Sequence, residues 1–471
     1  MSRKPRLSWP VLLALSGCAA PLCAQGTPQQ RIEPVYKAAE ADYGAGRYPA
    51  AAHRLETILP YATRDFEVHE LLGLIYGSMA ENAKALGQLQ LAVQLKPDSA
   101  AARTNLGTIL LDSGKADLAS EQFRKALQLE PTNYNANHNF GELYAKSGQV
   151  AEAQALFARA YRAKPGAYDN GYDLAMADFL LGRLDEARQV IRDLEKEKKT
   201  DELHNLLAQV DEKEGKFIDA ANEYETAAHL DPTENNLFDW GSEMLLHRTY
   251  EPAITIFQDA TQRYPNSPRL FIGLGLALYS RTRYDDAVKA LLRAADLDPS
   301  DPRCYLFLSK AYDSSPGEAA AVTERFRRYA EEQPNNARAQ YYYAISLWKA
   351  KRTGGSAVDF STVESLLKNS IALDESFADA HVQLGDFYAD QHQYEESIPQ
   401  YERALALDSS LSDAHYRLGM DYVHVGNKDL AQNELAVYKK LRAEHLAEVD
   451  KERAEVRQFV YSAKPPAPSV P

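Results

Sequence analysis

A 34-residue period constrains this chain more than any other feature. Two blocks run end to end from Ala100 to Ala167. In the first, Leu106-Gly107 is followed by Leu110, Gly114, Ala119, Phe123, Ala126 and Pro131. In the second, Phe140-Gly141 is followed by Tyr144, Gly148, Ala153, Phe157, Ala160 and Pro165. Counted within a block, these are positions 7, 8, 11, 15, 20, 24, 27 and 32. Large apolar residues at 7, 11 and 24 predict two amphipathic helices, and small residues at 8, 20 and 27 allow them to approach closely. Gly at 15 suits the turn between the helices, and Pro at 32 stops the second one.

This pattern resembles the tetratricopeptide repeat, a helix–turn–helix unit of the same length. The resemblance implies an all-α, right-handed α-solenoid of about twelve such units with a C-terminal capping helix. It extends over 32–445. The opening block, 32–65, is degenerate, as expected where one neighbour is missing. The block 168–200 is weaker: it keeps Leu174-Ala175, Gly182, Ala187 and Ile191 but has no terminal Pro. Blocks beginning near 201, 234 and 268 restore the pattern. The next two break it, at Ser314-Ser315-Pro316-Gly317 and at an insertion over 351–361 around Lys351-Arg352-Thr353-Gly354. Blocks at 378–411 and 412–445 follow, then a charged capping helix over 446–461 and a Pro-rich tail over 462–471, expected to be disordered.

Residues 1–24 read as an export signal: a basic start, an apolar run from Leu7 to Leu15, then small residues through Ala24. Two processing routes fit. One cuts after Ala24; the other lipidates Cys18, because Leu15-Ser16-Gly17-Cys18 resembles a bacterial lipobox. Either route predicts an exported protein, periplasmic or held at the outer membrane by lipid, with 25–31 as a polar linker. Cys18 and Cys23 fall in the leader, so Cys304 stands alone in the body and no disulfide framework is expected.

The formal charge of −14 argues against non-specific binding to nucleic acid or to anionic membranes. Chemistry is sparse. His69-Glu70-Leu71-Leu72-Gly73 starts like a zinc-protease helix but has no second His. Gly273-Leu274-Gly275 starts like a dinucleotide fingerprint but sits inside a predicted helix without the third Gly. His381 and His415 share position 4 and are assigned to packing. The expectation is therefore a non-enzymatic protein with neither cofactor nor metal.

In the family, the first helices line a concave groove, with positions 2, 5, 6, 9, 12 and 13 pointing into it. Carried over, this gives Asn105 and Asn139 at position 6, then an aromatic series: Tyr172, Phe179, Phe238, Tyr279, Phe307, Tyr341, Tyr342 and Trp348. Exposed aromatics along a groove suit an extended peptide. Two readings follow: a scaffold that binds peptide segments or assembles an envelope complex, and an accessory subunit of an envelope enzyme such as a glycosyltransferase or polysaccharide export system. The partners in either case are proteins or peptides.

Overall fold

The computed structural model describes residues 28–314, 318–352 and 359–462. All of their regular structure is helical. The chain divides into two compact units, Met1–Lys199 and Thr200–Pro471.

The first unit holds α1 (Pro28–Gly44), α2 (Tyr48–Ile58), α3 (Phe66–Ser78), α4 (Asn82–Leu95) and α5 (Ala100–Asp112). It continues with α6 (Ala116–Leu129), α7 (Tyr134–Lys146), α8 (Val150–Ala163), α9 (Tyr168–Leu180) and α10 (Leu184–Glu195). The second unit begins with α11 (Asp201–Lys213), α12 (Phe217–Leu230), α13 (Glu234–Leu246), α14 (Tyr250–Arg263) and α15 (Pro268–Ser280). Next come α16 (Tyr284–Leu297), α17 (Pro302–Ser314), α18 (Ala319–Glu332), α19 (Ala337–Arg352) and α20 (Phe360–Leu373). The last are α21 (Ala378–Asp390), α22 (Tyr394–Leu407), α23 (Ser412–His424) and α24 (Lys428–Ser462). Each odd helix packs on the even helix that follows it, as the repeat predicts. The helix α1 starts inside the stretch expected to be a linker. The expected capping segment continues the second helix of the last repeat without a break.

The periodic residues meet each other. A Cβ at position 8 would lie 2.7 Å from Phe123 if placed on Gly107, and 2.6 Å from Phe157 if placed on Gly141. Small residues at 8 therefore let the ring at 24 press against the first helix. Position 15 takes the left-handed conformation in most repeats: Gly114 (φ 72°), Gly148 (φ 77°) and Gly215 (φ 76°), but also Ala80, Arg248, Thr282 and His392. Only glycine adopts this conformation without steric penalty. The last residue of several blocks caps the next first helix. The side chains of Ser99, Asn133, Thr233 and Ser267 accept hydrogen bonds from the backbone N–H groups of Ala102, Ala136, Asn236 and Leu270.

In each unit the core lies between paired helices and continues from repeat to repeat. One cluster links Ala39 to Leu156, and another links Ala228 to Tyr342. Position 4 is also part of this interior. His69, His204, His381 and His415 each place Nδ1 within 2.5–3.0 Å of an oxygen on the second helix of their own repeat. Cys304 is buried, and burial pushes its thiol up to about 12, consistent with a packing role.

Candidate binding wall

Along the first helices, position 5 or 9 of one repeat meets position 6 of the next, and the chemistry of that junction changes along the chain. In the first unit it is polar. Asn105 donates to Glu70 Oε1 at 3.3 Å, and Asn139 donates to Thr108 Oγ1 at 2.8 Å. The two asparagines expected to greet a ligand thus direct their amide donors at the neighbouring repeat.

The next junction joins His138, Glu142 and Asp173. Glu142 Oε1 lies 3.3 Å from His138 Nε2, and Asp173 Oδ2 lies 3.9 Å from His138 Nδ1. Lys146 donates to Glu142 at 2.9 Å, and Asn170 Oδ1 lies 3.3 Å from His138 Nδ1. Burial raises Asp173 to about 6, while His138 and Lys146 hold Glu142 down at about 2. His138 is itself raised: its bond and charge contact with Glu142 and the charge of Asp173 outweigh burial. One ligand atom from each of these residues lies within 4.8 Å of the others. The two carboxylates, however, address opposite nitrogens of one ring, so a single ion at one nitrogen would sit poorly for the second. The arrangement suits a shared proton and charge pairing better than a metal.

In the second unit the junction first stays polar, with Asn205 donating to Asp239 at 2.9 Å. At the following repeat, position 6 is Gly273. A Cβ there would come within 2.6 Å of Phe257, so the ring that faces Gly241 also fills the place of a side chain at 273. A cavity of about 540 Å³ opens over this glycine, between α13, α15 and α17. Its apolar lining includes Phe238, Leu245, Ile272, Leu276 and Phe307. Leu246, 67% exposed, stands at its edge. Arg248, Arg269 and Arg303 also line it. The Arg269 guanidinium sits 4.9 Å from the Phe238 ring centre and bonds to Glu234 and Asn235. Arg303 forks onto Asp301.

A second cavity, about 340 Å³, lies among α17, α19, α21 and α23. Tyr341 and Trp348 border it together with two charge pairs, Lys349 with Asp313 and Arg417 with Asp386.

Of the aromatic series, the structure therefore brings Phe238 and Phe307 to one cavity and Tyr341 and Trp348 to another. Trp348 is nonetheless mostly buried, edge-on to Phe387 at 6.0 Å. Tyr342 is 6% exposed and stacks on Phe326 at 5.4 Å, which makes it a core residue. Tyr279 turns toward Tyr284 at 5.4 Å, Tyr172 stacks on Tyr168, and Phe179 is half-buried. Cys18 lies outside the described residues. Sequence reasoning missed Gly273 and the three arginines. The signal was present: Gly occurs at position 6 in this block alone, and Arg269, Arg303 and Arg338 recur at position 2.

Family comparison agrees with the repeat. Tetratricopeptide-repeat models match residues 110–160 and 146–210, and residues 71–134 and 247–302. A TPR-repeat model matches 385–422. No curated protein matches the chain. Among solved structures, yeast Tom70 is 16% identical over 92% of this chain and 98% of its own, with a TM-score of 0.36. Cut9 with Hcn1, of the APC/C, gives 15% identity over 88% and 95%, with a TM-score of 0.38. PilW, described as a type IV pilus biogenesis factor, gives 24% identity over 43% and 94%, with a TM-score of 0.39. Likeness at this level leaves partner and function to the chain's own residues. The matched repeats and the helix pairs that carry them make this chain an all-α protein of the tetratricopeptide-repeat family.

Proposed function

We propose that the chain is a non-catalytic interaction scaffold that seats a polypeptide segment on the first-helix wall of its second unit. The observation that carries this reading is the apolar cavity over Gly273. Buried cores exclude water, whereas Leu246, Leu276 and Phe307 leave apolar surface at an opening large enough for side chains of another chain. Volumes of roughly 300–1,000 Å³ are typical of ligand sites. The sequence of 1–24 supports an exported protein that works in the bacterial envelope, either released after Ala24 or anchored through Cys18. Mass spectrometry of the mature N-terminus distinguishes the two routes.

The binding reading is tested by placing a photo-crosslinking amino acid at Leu246, and in parallel at Leu118, a 50% exposed residue on the second helix α6. A polypeptide adduct formed from 246 and not from 118 supports it. Equal labelling from both positions, or none from 246, overturns it.

A further inference from the structure

We propose that the cavity over Gly273 selects an extended segment in which a bulky apolar side chain is flanked on both sides by carboxylates. This specificity rests on the docking reading above and adds the chemistry of the partner. The lining contains three arginines and no Asp or Glu, although the chain as a whole carries a net charge of −14. The local sign is therefore opposite to the global one.

The guanidinium groups are also incompletely engaged. Arg248 is exposed, and its side chain makes no hydrogen bond or ion pair among the described residues. Arg269 uses Nε and Nη2 for Glu234 and Asn235. Arg303 uses Nε and Nη2 for Asp301. Neither Glu234 nor Asp301 borders the cavity, and the Nη1 group of Arg269 and of Arg303 makes no hydrogen bond among the described residues. Arginine suits this task because its planar fork meets carboxylates and stays charged beside apolar surface.

The neighbouring cavity shows the alternative. There Lys349 and Arg417 are matched by Asp313 and Asp386 in the lining itself, so its charges are neutralised from within. Around Gly273 the acids that pair with Arg269 and Arg303 stand outside the lining and Arg248 has none, so the acceptors on the cavity side come from a partner. The unused guanidinium N–H donors on the α13–α14 turn, α15 and α17 outnumber the acceptor sites of one carboxylate. That favours a peptide with acids on both sides of its apolar anchor over a fatty-acid anion with one.

The test uses the full chain and fluorescein-labelled, end-capped peptides carrying Leu-Phe at the centre. One peptide flanks this core with Asp and Glu, and the other with Lys. Fluorescence anisotropy should show the acidic peptide binding at least about tenfold tighter, with the preference weakening as salt rises. Arg248→Glu should remove most of the preference, and Leu246→Asp should weaken the acidic peptide again. Both positions are exposed, so circular dichroism should be unchanged. Equal binding of the two peptides overturns the proposal, as does laurate displacing the acidic peptide at lower concentration than the unlabelled acidic peptide does. If neither peptide binds while position 246 still crosslinks a polypeptide, the charge specificity falls and the docking reading stands. If neither binds and no adduct forms, both fall.

Discussion

The junctions around Asp173 and Gly273 occupy the same place in the repeat and have opposite chemistry. On α7 and α9, positions 5, 9 and 6 carry His138, Glu142 and Asp173, which satisfy one another and fill the wall. On α13 and α15, the same positions carry Phe238, Ser242 and Gly273, and the wall opens onto apolar surface. The supporting layer is nearly identical. Phe157 lies against Gly141 in one case, and Phe257 against Gly241 in the other. The repeat thus fixes a scaffold while the side chains at positions 5, 9 and 6 decide whether the wall is closed or left open. The difference lies in what is missing at 273 as much as in what is present around it.

The sharpest way to break this comparison is to remove the ring beneath the opening. Phe257 is fully buried and touches the space of both Gly241 and Gly273. Phe257→Ala should cost about 3–5 kcal/mol, the usual range for an emptied aromatic site. Urea unfolding followed by circular dichroism measures it. Phe157→Ala should cost a similar amount but leave acidic-peptide binding unchanged. An unaltered unfolding midpoint for Phe257→Ala would show that the ring does not support the second unit.

Behind the open wall, Glu243 is 2% exposed, near Glu212 and with Oε1 3.1 Å from His247 Nε2. Burial first, then the charge of Glu212, raises it to about 7 from an ordinary 4.5. Because the folded value is the higher one, ionisation works against folding. Stability is fullest below pH 4.5 and declines as pH rises toward 7. Glu243→Gln should remove that decline and raise stability at pH 8 by on the order of 3 kcal/mol, with no gain at pH 4. Chemical denaturation at the two pH values checks it. An equal effect at both would mean that the carboxyl is not held neutral.

Much of this scaffold was legible in the sequence because the residues that build it recur. Gly107 with Phe123 and Gly141 with Phe157 announce a helix pair through spacing alone. The wall was less legible because its chemistry is set by departures from the period. Tyr342 occupies a nominal wall position, yet Phe326 draws its ring into the core. Asn105 and Asn139 look available in sequence but bond to Glu70 and Thr108 one repeat earlier. Gly273 reads in sequence as part of an incomplete nucleotide motif, whereas in the fold it is small where every other repeat has a side chain.

The closed wall has its own acid test. Asp173 is raised to about 6, chiefly by burial, with Glu142 and Asp169 adding to it and His138 opposing. Its side chain is 35% exposed, so solvent screening reduces the penalty to about 1 kcal/mol at neutral pH. The sign is the same as for Glu243: stability declines as pH rises from 3.8 toward 6. Asp173→Asn should flatten that decline. It should also lower the titration midpoint of His138, which the Asp173 charge helps to raise. Histidine NMR titration reads this directly, and an unmoved midpoint would show that the two side chains do not share charge.

The smallest effect separates folding from binding at one residue. Arg248 holds φ at 59° at position 15, where Gly114, Gly148 and Gly215 occur in other repeats. A side chain in this conformation costs about 1 kcal/mol. Arg248→Gly should therefore stabilise the second unit by up to about that amount, less what the greater freedom of glycine returns to the unfolded chain. The same substitution removes the guanidinium without disturbing Phe257, so the acidic peptide should bind more weakly to the more stable protein. Arg248→Asn, which tolerates the left-handed conformation better than most residues, should weaken binding with a smaller stability change. Thermal unfolding and anisotropy on the same samples give both quantities. If the two move together, with weaker binding only where stability also falls, Arg248 acts through the fold and the contrast between the two walls is not one of charge.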